Sequence, residues 1–233
     1  MMLPKSIPLS ALAVLALASC GIDHAGTPAV PTKFLTSTGT DTSSRIARLP
    51  FEHSWRDPSV IITDYKNIVI RPVTTKYLRT EEWERSKSAE IPSRKAFERR
   101  AALLARHFTK QLNIAFSDPI CVFYKTDDTS KPNTLILEVA LTDAHFPDRE
   151  QHSTVPVCGF ESRGRDARTG KLISTTSDRR GPDLHLGGEG SHVTDNKEIC
   201  SIWARQLMEA SNKEIFANVR RKLITIEDDG GHH

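Results

Sequence analysis

Between Leu135 and Thr142 the sequence alternates without a break. Leu135, Leu137, Val139 and Leu141 fall on one parity, and Ile136, Glu138, Ala140 and Thr142 on the other. A period of two puts the first set on one side of an extended backbone. The run is therefore a strand with one well-buried face, and such a strand needs a covering layer on that side. The segment after Pro92-Ser93 supplies one candidate. Phe97, Ala101, Leu104, Phe108, Leu112 and Ala115 with Phe116 recur at spacings of three and four, while Arg94, Glu98, Arg99, Arg106 and Lys110 take the other faces. That pattern predicts a helix over 93–116 with one buried stripe, stopped by Asp118-Pro119.

Further elements follow from shorter signals. Asn67 to Val73 predicts a strand ending at Pro72, and Ile120 to Tyr124 another. Gly159 to Asp166 and Lys171 to Arg180 predict two strands joined by a tight turn, with Gly170 free to take a positive φ. Asp195 caps a last helix over 195–223, whose stripe is Ile199, Trp203, Leu207 and Ala210 and then shifts to Ile215, Val219 and Leu223, predicting a bend or register drift. Consecutive strands after the first helix favour an α+β fold: an antiparallel or mixed sheet of four to five strands, with two main helices on one face. The expected domain spans 49–225, and residues 226–233 are expected to be a disordered tail.

The first twenty residues carry a different message. Lys5 precedes an apolar run from Ile7 to Ala18, too short to span a bilayer, and small residues lead to Cys20. Leu17-Ala18-Ser19-Cys20 resembles the bacterial lipobox. The resemblance implies a signal peptide of residues 1–19, a diacylglycerol thioether on the Cys20 sulfur and a further acyl chain on its amine after cleavage. Several chains anchor a protein stably where one does not. Gly21, in place of an Asp, points to the outer membrane. More than half of residues 24–48 are Gly, Pro, Ser or Thr, so residues 20–48 are expected to be a flexible tether reaching roughly 25–30 Å. Phe34-Leu35 is its apolar pair and a candidate for docking on the domain.

Export places the remaining cysteines, Cys121, Cys158 and Cys200, in an oxidising compartment. Three thiols allow at most one internal disulfide, with the pairing open, and buried thiols are the alternative. A net charge of +3, with both signs interspersed, gives no reason to expect nucleic acid as a partner. Asp183, His185, Glu189 and His192 could offer metal ligands, but their spacing fits no helical or hairpin metal motif, and no metal or cofactor is expected. Asp143, His145 and Ser153 supply the letters of a hydrolytic triad without the elbow or oxyanion loop that such chemistry uses. Basic residues gather on the 159–180 hairpin, where Arg163, Arg165 and Arg168 form a candidate partner-binding face, weighed against a solvated face balanced by Glu161, Asp166 and Asp178.

Several stretches together resemble the bacterial lipoprotein family of domain of unknown function 3313. They are Tyr65 to Val73, Leu135 to Ala144 with its Thr-Asp-Ala ending, Glu161 and Asp166 followed by Thr169-Gly170, and Trp203-Ala204. The resemblance implies location and fold, and no chemistry. The expectation is an outer-membrane-anchored, periplasm-facing lipoprotein that binds an envelope protein or peptidoglycan without catalysis. The alternative is a periplasmic hydrolase or metal-dependent enzyme using residues 143–153 or 183–192.

Overall fold

A computed structural model describes residues 30–39, 49–87, 91–146, 157–181 and 195–229. Cys20, Ser153, the 183–192 segment and residues 40–48 lie outside them. Six strands form one mixed sheet: β1 (His53–Arg56), β2 (Asn67–Ile70), β3 (Tyr124–Lys125), β4 (Thr134–His145), β5 (Val157–Asp166) and β6 (Leu172–Arg180). The spatial order is β1-β6-β5-β4-β2-β3. Strands β2 and β3, and β2 and β4, pair in parallel, whereas β4-β5, β5-β6 and β6-β1 are antiparallel. Four helices accompany the sheet: α1 (Lys33–Thr36), α2 (Glu81–Arg85), α3 (Arg94–Ala115) and α4 (Asn196–Asp229). The architecture is α+β. Among the described residues no helix is long and apolar enough to cross a membrane.

The long elements stand where the periodicities place them. Ser93 caps α3 by accepting from the Ala96 amide at 3.2 Å, and Phe97, Ala101, Leu104, Phe108 and Leu112 are buried. They share one core with Leu135, Leu137, Val139 and Leu141 of β4 and with Ile199, Trp203 and Leu207 of α4. Asp195 opens α4 by accepting from the Lys197 amide at 3.0 Å. The two long helices thus cover one sheet face, with Trp203 lying 4.7 Å from Phe160 of β5 between ring centroids.

Four boundaries differ from expectation. The sheet gains β1, a four-residue polar strand whose sequence, HSWR, carries no usable alternation. The strand expected over 120–124 shrinks to Tyr124–Lys125, because Asn212 of α4 takes the backbone a strand would pair. Its side chain accepts from the Val122 amide at 3.1 Å and donates to the Ile120 carbonyl at 2.8 Å. Helix α4 runs without interruption to Asp229, so residues 226–229 of the expected disordered tail are helical. Residues 30–39, placed in the flexible tether, instead form an ordered arm against the sheet.

Candidate functional site

The sheet face away from the long helices carries the residues of interest. On β4 and β5 this face presents Glu138, Ala140, Asp143, Glu161, Arg163 and Arg165, set opposite one another by the antiparallel register. A bulge between Leu141 and Asp143 turns Asp143 outward while keeping Ala144 in the core. Gly159 lies opposite Asp143, and a Cβ there would collide with its carboxylate. Glycine therefore makes room for an acid that Arg79 and Arg179 approach at 3.3 and 3.4 Å. The Thr142 hydroxyl donates to the same carboxylate at 2.9 Å. These three groups commit Asp143 to holding the face together. His145 faces the Ser86 hydroxyl at 3.5 Å.

The arm docks on this face through Glu161. The Thr32 amide and hydroxyl both donate to the Glu161 carboxylate, each at 2.6 Å, and the Thr32 hydroxyl also accepts from the Phe34 amide, capping α1. Phe34 and Leu35 are buried against Ala140. The Arg163 guanidinium sits 4.2 Å above the Phe34 ring and donates to the Phe34 carbonyl at 3.0 Å. Tyr77 closes the other side, edge-on at 5.3 Å. Arg79 donates to the Val30 carbonyl at 2.6 Å. Burial pushes the Glu161 carboxyl above the usual carboxylate range, and the Thr32 donors and the Arg79 charge oppose that rise.

The basic side chains of the hairpin do not form a free face. Arg163 and Arg165 share Glu138. Lys171 pairs with Asp57 at 2.8 Å, Arg179 with Asp143, and Arg168 lies exposed in the turn. Arg180 points into the core, where it meets Asp178 at 2.7 Å with both side chains almost fully enclosed. Asp178 also accepts from the Trp203 indole N–H at 2.7 Å. Of the three residues of the candidate partner-binding face, Arg163 and Arg165 pair with Glu138 of β4, Arg163 also holds the arm, and Arg168 projects from the turn.

Asp166, Thr169 and Gly170 belong to the turn itself. Asp166 accepts from the Thr169 hydroxyl and from the amides of Arg168 and Thr169, and Gly170 takes φ +70°. Tyr65 donates its hydroxyl to Asp166 at 2.9 Å, tying the lead into β2 to the hairpin. Burial and this bond raise the Tyr65 phenol to about 12. Burial raises Asp166 as well, yet the donors around it outweigh burial and leave its carboxyl below the ordinary range.

Between the sheet and the helices lies an apolar cavity of about 90 Å³, bounded by Leu49, Phe51, Phe116 and Leu207 over small residues of β5 and β6. It is smaller than the ~300 Å³ at which small-molecule sites begin. The sequence pointed to neither the Thr32–Glu161 contact nor the Arg79–Asp143 pair. A buried-pattern acid in a strand, Glu161, and an apolar pair in a polar lead, Phe34-Leu35, were the available signals.

Comparison with known proteins gives a family and distant structural likenesses. Among curated proteins no relative matches. PelC from Paraburkholderia phytofirmans, solved as a dodecamer, aligns at a TM-score of 0.39 and 10% identity, covering 68% of this chain and 94% of that one. The hypothetical protein CT253 from Chlamydia trachomatis aligns at 0.26 and 14%, covering 66% and 95%. A neuraminyllactose-binding hemagglutinin homolog from Helicobacter pylori aligns at 0.28 and 8%, covering 71% and 90%. These scores are too low to bear on function. The family model described as protein of unknown function (DUF3313) matches residues 47–207, more than half of the sequence, and the chain belongs to that family.

Proposed function

We propose that this chain is a lipoprotein of the cell envelope, anchored at Cys20 in the outer membrane, whose domain binds an envelope protein or peptidoglycan and catalyses nothing. The observation that carries the reading is the docked arm. Thr32 is fixed to Glu161 on the outer sheet face, and twelve peptide steps separate it from Cys20. A fully extended chain of that length reaches about 40 Å at most. A lipid on Cys20 therefore keeps the domain within roughly one domain diameter of the bilayer, with the arm-bearing face tied to the anchor. The commitment of Asp143 to two arginines and a threonine favours binding over hydrolysis at that position.

The test is Cys20→Ala in the full chain. The variant is expected to lose partition into the membrane fraction while keeping the circular dichroism and melting transition of the wild type. Retention with the outer membrane after a salt wash would contradict the anchor. A hydrolytic activity that survives purification and disappears with Ser153→Ala would instead support the enzyme alternative.

A further inference from the structure

We propose that Cys158 and Cys200 form the one internal disulfide of this protein, stapling α4 to β5, and that Cys121 remains a thiol. The pairing rests on register. Asn196, at the start of α4, donates to the His145 carbonyl at 2.8 Å, and His145 stands opposite Val157 in the ladder. Seven residues later Trp203 lies on Phe160. The helix advances about 10 Å over that interval, and the strand from Val157 to Phe160 advances about 10 Å as well. The two elements therefore run alongside one another between these two contacts. Cys200 lies between Asn196 and Trp203, and Cys158 between Val157 and Phe160. Both cysteines are fully buried in the same core, and the Cys200 thiol neighbours that of Cys158 closely enough to perturb it. Cys121 is half-buried, in the segment that Asn212 holds ahead of β3.

The two sulfurs are thiols in this structure. Joining them removes two protons and two electrons, which go to an exchangeable disulfide of the surrounding compartment. One protein thiolate attacks that disulfide, forms a mixed disulfide and releases the first thiol. The second protein thiolate then displaces the other, so the oxidant leaves as two thiols. Burial, and the neighbouring Cys200 thiol, push Cys158 well above the ordinary thiol range. The finished fold thus disfavours the attacking thiolate, and exchange belongs to the stage before α4 closes on the sheet. In cells the step rests on the envelope location proposed above, because a reducing cytosol leaves such thiols free.

Peptide mapping of the full chain tests it. Protein extracted from bacterial envelopes, and separately protein refolded with glutathione disulfide, is alkylated in denaturant without reductant and then digested with trypsin. The expected product in both arms is a linked pair of peptides 150–163 and 198–205, two hydrogens lighter than their sum, beside an alkylated 111–125. Reduction is expected to lower the melting temperature by on the order of 10 °C. The same link is expected in Cys121→Ser, a variant that leaves the pair untouched. A link after refolding but alkylated thiols from cells would support the pairing and contradict the envelope location. Alkylation of Cys158 and Cys200 in both arms, or a link through Cys121, would overturn the pairing.

Discussion

The two faces of the sheet are held in different ways. On the helix side, two long helices cover aliphatic and aromatic residues, and the shared core runs from Leu135 to Ala144 along β4 and takes in Cys158 and Phe160 of β5. On the other side a four-residue helix covers a small patch, and the arm is retained by the Glu161 carboxylate, the stacked Arg163 guanidinium, the Arg79 bond to the Val30 carbonyl and two apolar side chains. The first face is secured by area removed from water, which acts along the whole length of the packed elements. The second is secured by a few directional contacts that stand or fall together. The helix face should therefore govern global stability, and the arm face should open without unfolding the rest.

The sharpest way to break that contrast is Trp203→Ala. It removes a fully buried indole from Phe160 and Phe108 and leaves the Asp178 carboxylate without the indole donor. The expected loss is about 3–5 kcal/mol by denaturant titration, with the whole domain melting in one transition. A loss confined to the arm, with the sheet amides unchanged in hydrogen exchange, would erase the distinction between the faces.

A smaller effect is expected from Glu161→Gln. Arm docking should weaken by about 1–3 kcal/mol, because a neutral amide replaces the charged acceptor of both Thr32 donors. Hydrogen exchange at the arm amides should quicken, and the amides of β4 and β5 should keep their protection. The pH dependence has a definite sign. Burial outweighs the Thr32 donors and the Arg79 charge and holds the docked Glu161 carboxyl above its usual 4.5, so the docked fold favours the protonated acid relative to a solvated one. The Glu161 contribution to docking is therefore fullest at acid pH and declines as pH rises through the docked value. Wild-type arm protection should rise on acidification, whereas the Gln variant should show no such step. A step of equal size in both would remove Glu161 from the explanation.

The same contrast explains what the sequence disclosed. The stripes of α3 and the first half of α4, and the alternation from Leu135 to Leu141, are periodic apolar signals, and periodicity is local. The polar face depends on pairs far apart in the chain. Thr32 and Glu161 are 129 residues apart, and Arg79 and Asp143 are 64 apart. Bulges hid the rest. Ile173 is buried, so simple alternation from it sends Thr175, Ser177 and Arg179 inward and Asp178 and Arg180 outward. The register shift beside Gly164 reverses that parity, bringing the Asp178–Arg180 pair beneath Trp203. Six basic letters in one hairpin consequently suggested a solvent-facing patch, while folding assigns them to the core, to β4, to the arm and to the turn. The motif Asp166, Thr169 and Gly170 was legible as a turn, because its partners lie within four residues. Its tie to Tyr65, 101 residues away, was not.

The proposed role makes the arm the link between anchor and domain, so the orientation of the domain on a bilayer is the most direct measurement. Lipidated protein in liposomes, in a Cys121→Ser background, is labelled with a fluorescent donor either at Ser37, on the arm, or at Leu103, an exposed position on α3. Energy transfer is read to acceptors on the lipid headgroups. The arm and α3 lie on opposite sides of the sheet, and sheet and helix layers pack about 10 Å apart. Transfer should therefore be clearly stronger from Ser37 than from Leu103, and Glu161→Gln should bring the two values together. Equal transfer from both positions in the wild type, or stronger transfer from Leu103, would contradict a domain held to the membrane by its docked arm.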